Sequence, residues 1–283
     1  MSDFQKAVEI VHDALRGLQE NGVDLRASSS SLENLAAFPP LVVQSAPVAA
    51  APPVAASVIS EPLAVAPPRP ANPDGRSNAE RLAEIRGPIL ACTKCPHLVA
   101  SRTQVVFGIG NPDAELLFVG EAPGEDEDLK GEPFVGKAGE LLTKIIVAMN
   151  FRHEDIYIAN VLKCRPDMPA GDSGNRKPRT EEMQTCLPYL REQIDIIRPR
   201  AIVALGATAM LGLTGDSSAM GKLRGRWHEF GGIPLMATYH PAYLLRNQSL
   251  SEKRKVWEDM LLVLERLGKP ISEKQRAFFL SRT

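Results

Sequence analysis

The sequence predicts an α/β fold. The expected form is a three-layer α/β/α arrangement around a short central parallel sheet, preceded by an N-terminal helix and a disordered Ala/Pro-rich linker. Three observations carry that expectation. From Asn78 onward, short apolar runs alternate with helix-patterned segments, the signature of βαβ units with helices on both faces of a sheet. Composition breaks near residue 75, where an Ala/Pro-rich tract ends. No apolar run approaches the ~20 residues of a membrane span.

In chain order, Phe4, Val8, Val11, Leu15 and Leu18 recur at four- and three-residue steps, which puts them on one face of a helix over residues 1–20. That helix either rests on the main domain or docks on a partner. Residues 21–77 are expected as linker. Between Ala37 and Pro73 stand ten Pro and ten Ala, with only Glu61 and Arg69 charged. Pro removes backbone donors and Ala brings little apolar area, so burial cannot offset the ordering entropy there. The folded domain is expected over residues 78–269. Its strands are Leu116–Val119, Ile156–Val161, Ala201–Leu205 and Pro234–Thr238; its helices are Ala138–Met149, Glu181–Ile197, Ala207–Leu213 and Glu252–Leu267. Residues 270–283 are read as a C-terminal tail.

Composition excludes several function classes. With 44% hydrophobic and 24% charged residues in 283, the chain is neither collagen-like nor wholly disordered. Its start is acidic and helix-patterned rather than an apolar signal core, so a cytoplasmic protein is expected. Four cysteines are too few for a disulfide scaffold and suit a metal site in a reduced compartment. The net charge of −1 hides a split: residues 1–75 hold four basic and eight acidic side chains, the remainder 29 and 26. A polyanionic partner for the C-terminal part is therefore permitted.

Ligands of such sheets bind outside the carboxyl ends of the strands, which selects candidates directly. The first strand runs into Gly120-Glu121-Ala122-Pro123-Gly124, the second ends at Asn160, and the fourth leads to His240. A Gly/Pro turn, a carboxamide and an imidazole thus converge on one rim. The glycines of Gly215–Lys222 and Phe107–Asn111 lack the spacing of phosphate and dinucleotide loops and read as turns. Cys92 and Cys95 form a C-x₂-C knuckle that Cys164 and Cys186 complete. Four thiolates suit tetrahedral zinc or a [4Fe–4S] cluster, and the split spacing leans towards iron–sulfur. The loop Arg165–Arg179, with Arg176 and Lys177, is basic enough to meet phosphates.

Four segments together resemble family 4 uracil-DNA glycosylases: Gly120 to Gly124 with the acids after it, Pro133 to Gly139, Asn160 to Pro166, and His240 to Tyr243. The resemblance spans roughly Ala79 to Gly268 and is silent on residues 1–75. It implies a DNA-repair enzyme that flips uracil out of DNA, hydrolyses its N-glycosidic bond and carries a [4Fe–4S] cluster on Cys92, Cys95, Cys164 and Cys186; a monomer is expected. By that resemblance Phe134 stacks on uracil, Asn160 reads its O4 and N3–H edge, and His240 approaches O2. Gly120 and Ala122 adjoin the base, while Glu121, Glu127 and Asn175 support catalysis. Arg165, Arg176, Lys177 and Arg246 would face DNA, with Leu244 or Leu245 filling the gap left by the base. Related enzymes carry an aspartate where this chain has Ala122, so water positioning falls to backbone carbonyls, Glu121 or Glu127. Two rivals are a non-catalytic iron–sulfur nucleic-acid sensor and a zinc-stabilised phosphoryl-transfer enzyme. At the C-terminus, Gln275, Phe278, Phe279 and Leu280 loosely resemble peptides that dock on replication sliding clamps; packing of the two Phe onto the domain is the competing expectation.

Overall fold

The computed structural model describes residues 75–168 and 174–280. The helix expected over residues 1–20 and nearly all of the linker lie outside the described residues, as do residues 169–173 of the basic loop. Ser77, placed in the linker, instead caps the first helix, α1 (Asn78–Leu90), in a reciprocal box with Glu80.

Six strands form one mixed sheet: β1 (Ile109–Gly110), β2 (Leu116–Gly120), β3 (Tyr157–Asn160), β4 (Ala201–Leu205), β5 (Trp227–Phe230) and β6 (Ile233–Thr238), in the order β1-β3-β2-β4-β6-β5. The four strands expected from the sequence are the parallel centre, β3-β2-β4-β6. The two edge strands are antiparallel and were missed. β1 is only two residues long, on a stretch read as a turn. β5 joins β6 through Gly231-Gly232, both at positive φ, a two-residue hairpin loop that was legible as a turn signal.

Strand residues alternate between two cores. Leu117, Val119, Ile202, Ala204 and Leu235 face one layer, with Leu82 and Ile89 of α1, Leu190 and Ile194 of α5 (Thr180–Ile197) and Met210 of α6 (Ala207–Thr214). Leu116, Phe118, Val203 and Met236 face the other, with Leu142 and Ile146 of α4 (Lys137–Ala148) and Trp257, Met260 and Leu264 of α9 (Leu250–Arg266). The short helices α2 (Pro96–Ser101), α3 (Glu125–Lys130), α7 (Met220–Leu223), α8 (Pro241–Arg246) and α10 (Glu273–Arg276) complete the described chain. The three layers are those expected. Among the described residues, no helix is long and apolar enough to cross a membrane.

The tail does not stand apart from the domain. Ser272 caps α10, Trp257 Nε1 donates to the Gln275 carbonyl at 2.6 Å, and Gln275 Nε2 donates to the Ala148 carbonyl at 2.8 Å. Phe278 lies against Trp257 with ring centroids 5.2 Å apart, whereas Phe279 is exposed.

Topology also places the site. The chain passes from β2 to β3 through α4 on one face, then from β3 to β4 through α5 on the other. The crevice where connections diverge is therefore at the carboxyl end of β2. Gly120 and Asn160 are register partners there, and Leu205 pairs with Thr238 two residues before His240.

Candidate active site

A cleft of about 600 Å³ opens at this rim, walled by Glu121, Ala122, Phe134, Asn160, Lys177 and His240 among others. Asn160 is 2% exposed, and its Oδ1 is a buried acceptor with no partner among the described residues. Nearly all buried polar atoms are satisfied, so an orphan facing a cleft marks where a ligand donor belongs. A Cβ at Gly120 would fall 2.3 Å from that oxygen and 2.7 Å from the Phe134 ring. Only glycine lets the carboxamide and the aromatic ring approach each other here.

Phe134 is held in the left-handed region at φ 56°. Such strain in a non-glycine residue persists only where its surroundings over-determine it. Two devices do so. Gly139 at the start of α4 lets the Phe134 carbonyl approach to within 1.7 Å of where a Cβ would stand. The Glu127 carboxylate accepts from the Gly124 amide at 3.0 Å with Oε2, and from Val135 and Gly136 at 3.0 and 3.1 Å with Oε1. Both Glu127 oxygens are thus committed to backbone.

His240 caps α8, its Nδ1 accepting from the Ala242 amide at 3.1 Å, which leaves the ring proton on Nε2. Its ring stacks against Phe134 at 5.6 Å and 29°. Burial, with Arg246 nearby, lowers its pKa from 6.5 to about 4. The neutral imidazole is therefore a fixed N–H donor at neutral pH. Between pH 6.5 and about 4 the unfolded chain takes up this proton and the native state does not, so stability is lost as pH falls through that window. The melting temperature of the native protein should drop more steeply across it than that of His240→Asn. Parallel curves for the two proteins would show that His240 is protonated normally.

Glu121 sits half-buried on the opposite wall; burial raises its pKa, while Thr208 and Lys177 act in the other direction. Asn175 packs on Gly124, its Nδ2 3.1 Å from where a Cβ would stand. Ala122, Asn175, Lys177 and Arg246 all line the cleft, the last three exposed. Three expectations are refined. Leu244 is 4% exposed and belongs to the core, while Leu245 is 38% exposed and free to wedge. Arg165 stands outside the cleft, donating to the Gly174 carbonyl at 3.0 Å and facing Glu125 at 3.8 Å. Arg176 lines the cleft, but its guanidinium is committed to Asp167 and Glu182.

Sequence reasoning missed the support behind His240. Thr238 Oγ1 donates to Asp259 Oδ2 at 2.6 Å, and Arg224 grips the same carboxylate at 2.8 and 3.1 Å. Tyr239 stacks on Tyr243 at 4.6 Å. A single acid on an amphipathic helix gives no sign in the sequence that it is buried.

The four cysteines are gathered by α1, α2, the β3–α5 connection and α5. Cys164 and Cys186 are buried, Cys92 and Cys95 half-buried. Burial pushes the Cys186 thiol up to about 11, and Cys164 and Cys92 push the same way; Cys164 is likewise raised by burial and by Cys92 and Cys95. Donors already aim at the sulfurs. Arg102 Nη1 reaches Cys164 Sγ at 2.9 Å, and the Lys163 amide reaches Cys186 Sγ at 3.3 Å. Among the described residues no three of these sulfurs come within 4.8 Å of one another. A zinc tetrahedron with Zn–S bonds near 2.3 Å would bring them to about 3.8 Å. Soft donors, N–H···S support and a wide spread fit a thiolate-held polynuclear cluster.

Comparison with known proteins adds to this geometry. Residues 107–261 match the family model described as Uracil DNA glycosylase superfamily. The chain is 48% identical over 171 residues to a Type-4 uracil-DNA glycosylase of Thermotoga maritima, covering 60% of this chain and 85% of that protein. It is 45% identical over 184 residues to a Type-4 uracil-DNA glycosylase of Archaeoglobus fulgidus, covering 62% and 88%. A Type-5 uracil-DNA glycosylase of Thermus thermophilus is more distant, at 26% over 220 residues, covering 64% and 95%.

Proposed function

The chain belongs to the uracil DNA glycosylase superfamily, on its type-4 branch, and from that premise we propose how its cleft works. It excises uracil from DNA by hydrolysing the N-glycosidic bond, a DNA-repair reaction that leaves an abasic site. The non-catalytic sensor is not favoured. The observation that carries the reading is the orphaned Asn160 Oδ1. It accepts uracil N3–H, while the amide N–H₂ donates to O4. Phe134 supplies a stacking surface that offsets part of the cost of flipping.

As the C1′–N1 bond breaks, its electron pair moves into the base and negative charge collects at O2. The Nε2–H of His240 strengthens its hydrogen bond as that charge grows, which stabilises the transition state selectively. Water then adds to C1′, and the proton it loses to solvent balances the one the departing uracil anion takes up. Of the two acids, Glu121 is the freer to orient that water, because Glu127 already accepts from three backbone amides. Lys177 and Arg246 meet phosphates, and Leu245 occupies the vacated stack. Release of uracil from a labelled single-stranded oligonucleotide, with thymine as control, tests the whole reading. No release from uracil DNA would overturn it.

Cys92, Cys95, Cys164 and Cys186 would hold one [4Fe–4S] cluster, whose contribution is to cross-link α1, α5 and the segment four residues beyond Asn160. Cys164→Ala is expected to lose soluble protein and brown colour together. Full solubility with unchanged iron and sulfide content would remove Cys164 from the ligand set. Free thiols and such a cluster suit a reduced, cytoplasmic setting. Clamp docking by the tail would require Gln275 and Phe278 to leave the contacts they make with Ala148 and Trp257, so the packed tail supports the competing expectation.

A further inference from the structure

The connection from β3 to α5 brings Asn175, Arg176 and Lys177 to the cleft wall, but the guanidinium of Arg176 is committed to partners within the protein. Arg176 Nε donates to the Asp167 carbonyl at 2.6 Å, and Nη2 to the Asp167 carboxylate. Nη1 donates to the Lys177 carbonyl and to Glu182 Oε2, both at 3.0 Å, and Nη2 to Glu182 Oε1 at 2.6 Å. A guanidinium has five N–H donors in a fixed fork, and here every nitrogen is engaged within the protein. Its side chain is 19% exposed.

Glu182 is the other half of the device. It is 3% exposed, sits in the first turn of α5, and also accepts from the Arg179 amide at 2.7 Å and meets His97 Nε2 at 2.8 Å. Cys186 follows one turn later on the same helix, and His97 follows Cys95 on α2. His97, Asp167 and Glu182 bring three potential ligand atoms within 4.8 Å of one another, but Arg176 already pairs with both carboxylates. The node is an ion-paired clasp rather than a cation site.

We infer that Arg176 and Glu182 are positioning residues for uracil excision: their two-pronged clasp fixes the cysteine-bearing helix to the loop that presents Asn175 and Lys177 to the cleft. Arg176 therefore does not touch phosphate. The inference rests on the glycosylase reading above, and its test separates the two. A lysine cannot reproduce the fork, because one ammonium point cannot reach Asp167 and both Glu182 oxygens together. A glutamine at 182 keeps the shape and removes the charge.

The full-length, iron-loaded protein is compared with Arg176→Lys, Glu182→Gln and the double variant. Visible absorbance serves as the check that the cysteine site is intact. Each single change should slow single-turnover uracil release by about tenfold, since displacement of a site by even ~1 Å can cost 10²-fold. The double variant should be no slower than the worse single, because both remove one interaction. The salt dependence of binding to a uracil oligonucleotide should stay unchanged in Arg176→Gln, which removes the charge, while Lys177→Ala flattens it. The amides of residues 174–177 and 179, the last of which donates to Glu182, should exchange faster in each single variant. Additive losses would overturn the inference. So would a flattened salt slope in Arg176→Gln with a native rate in Glu182→Gln. If the native protein released no uracil, the glycosylase reading would fail instead. The exchange measurement would then still decide whether the clasp holds the loop.

Discussion

Asn160→Ala should release neither uracil nor cytosine, and Asn160→Asp should lose most uracil excision while its discrimination against cytosine relaxes. Uracil offers an acceptor at O4 and a donor at N3; cytosine offers the reverse at N4 and N3. A fixed carboxamide satisfies the first base twice and opposes the second twice. Each unpaired buried polar group costs ~1–3 kcal/mol, so two mismatches amount to about 10²–10⁴-fold. Aspartate removes the donor for O4 and supplies an acceptor for the cytosine amino group. Stability should scarcely move in Asn160→Ala, because Asn160 Oδ1 has no partner among the described residues to lose, whereas Asn160→Asp buries a carboxylate and should lower the melting temperature. A residue that merely capped the strand end would behave oppositely, lowering the melting temperature by several degrees while sparing selectivity. Native-like uracil release by a well-folded Asn160→Ala protein would remove Asn160 from the site.

Gly120→Ala should be nearly as damaging to activity while leaving the fold intact. Its new methyl would stand 2.3 Å from Asn160 Oδ1 and 2.7 Å from two atoms of the Phe134 ring. Contacts that short cannot persist. The colliding atoms are the ends of side chains rather than backbone, so Asn160 and Phe134 swing aside and the sheet stays in register. The expected result is a loss of about 10²-fold or more in single-turnover uracil release, with the melting temperature changed by only a few degrees. Unfolding of Gly120→Ala would show that strand pairing, not base recognition, requires glycine. Wild-type turnover would show that the cleft has more room than this geometry allows.

How far each feature was legible depends on the range of the interactions behind it. The four parallel strands read directly as apolar runs such as Leu116–Val119, observed as Leu116–Gly120, and Ala201–Leu205, because strands buried on both faces must be apolar throughout. The edge strands escaped because edges obey no such rule. β1 is two residues long, and Trp227–Phe230 is half-buried and mixed in character. Asn160 and His240 were found without any fold in hand, since strand ends in an α/β sheet are where ligands bind. Leu244 and Leu245 are the same residue type side by side, and only the direction of α8 sends one into the core and the other outward.

Composition and pattern by themselves determined the layered α/β class, the compositional break near residue 75, four cysteines as candidate ligands and the residues that meet at the rim. These follow from periodicity and residue chemistry within short windows. Tertiary structure alone decided which charges are free. Arg176 and Lys177 are neighbours in a basic loop, yet one is locked onto Glu182 and Asp167 while the other stands exposed at the cleft. Likewise Glu121 and Glu127 belong to one acidic stretch, but three backbone amides claim Glu127 alone. A side chain's charge is written in the sequence. Whether that charge is already paired depends on partners from distant elements, and only the folded chain brings those within hydrogen-bonding range.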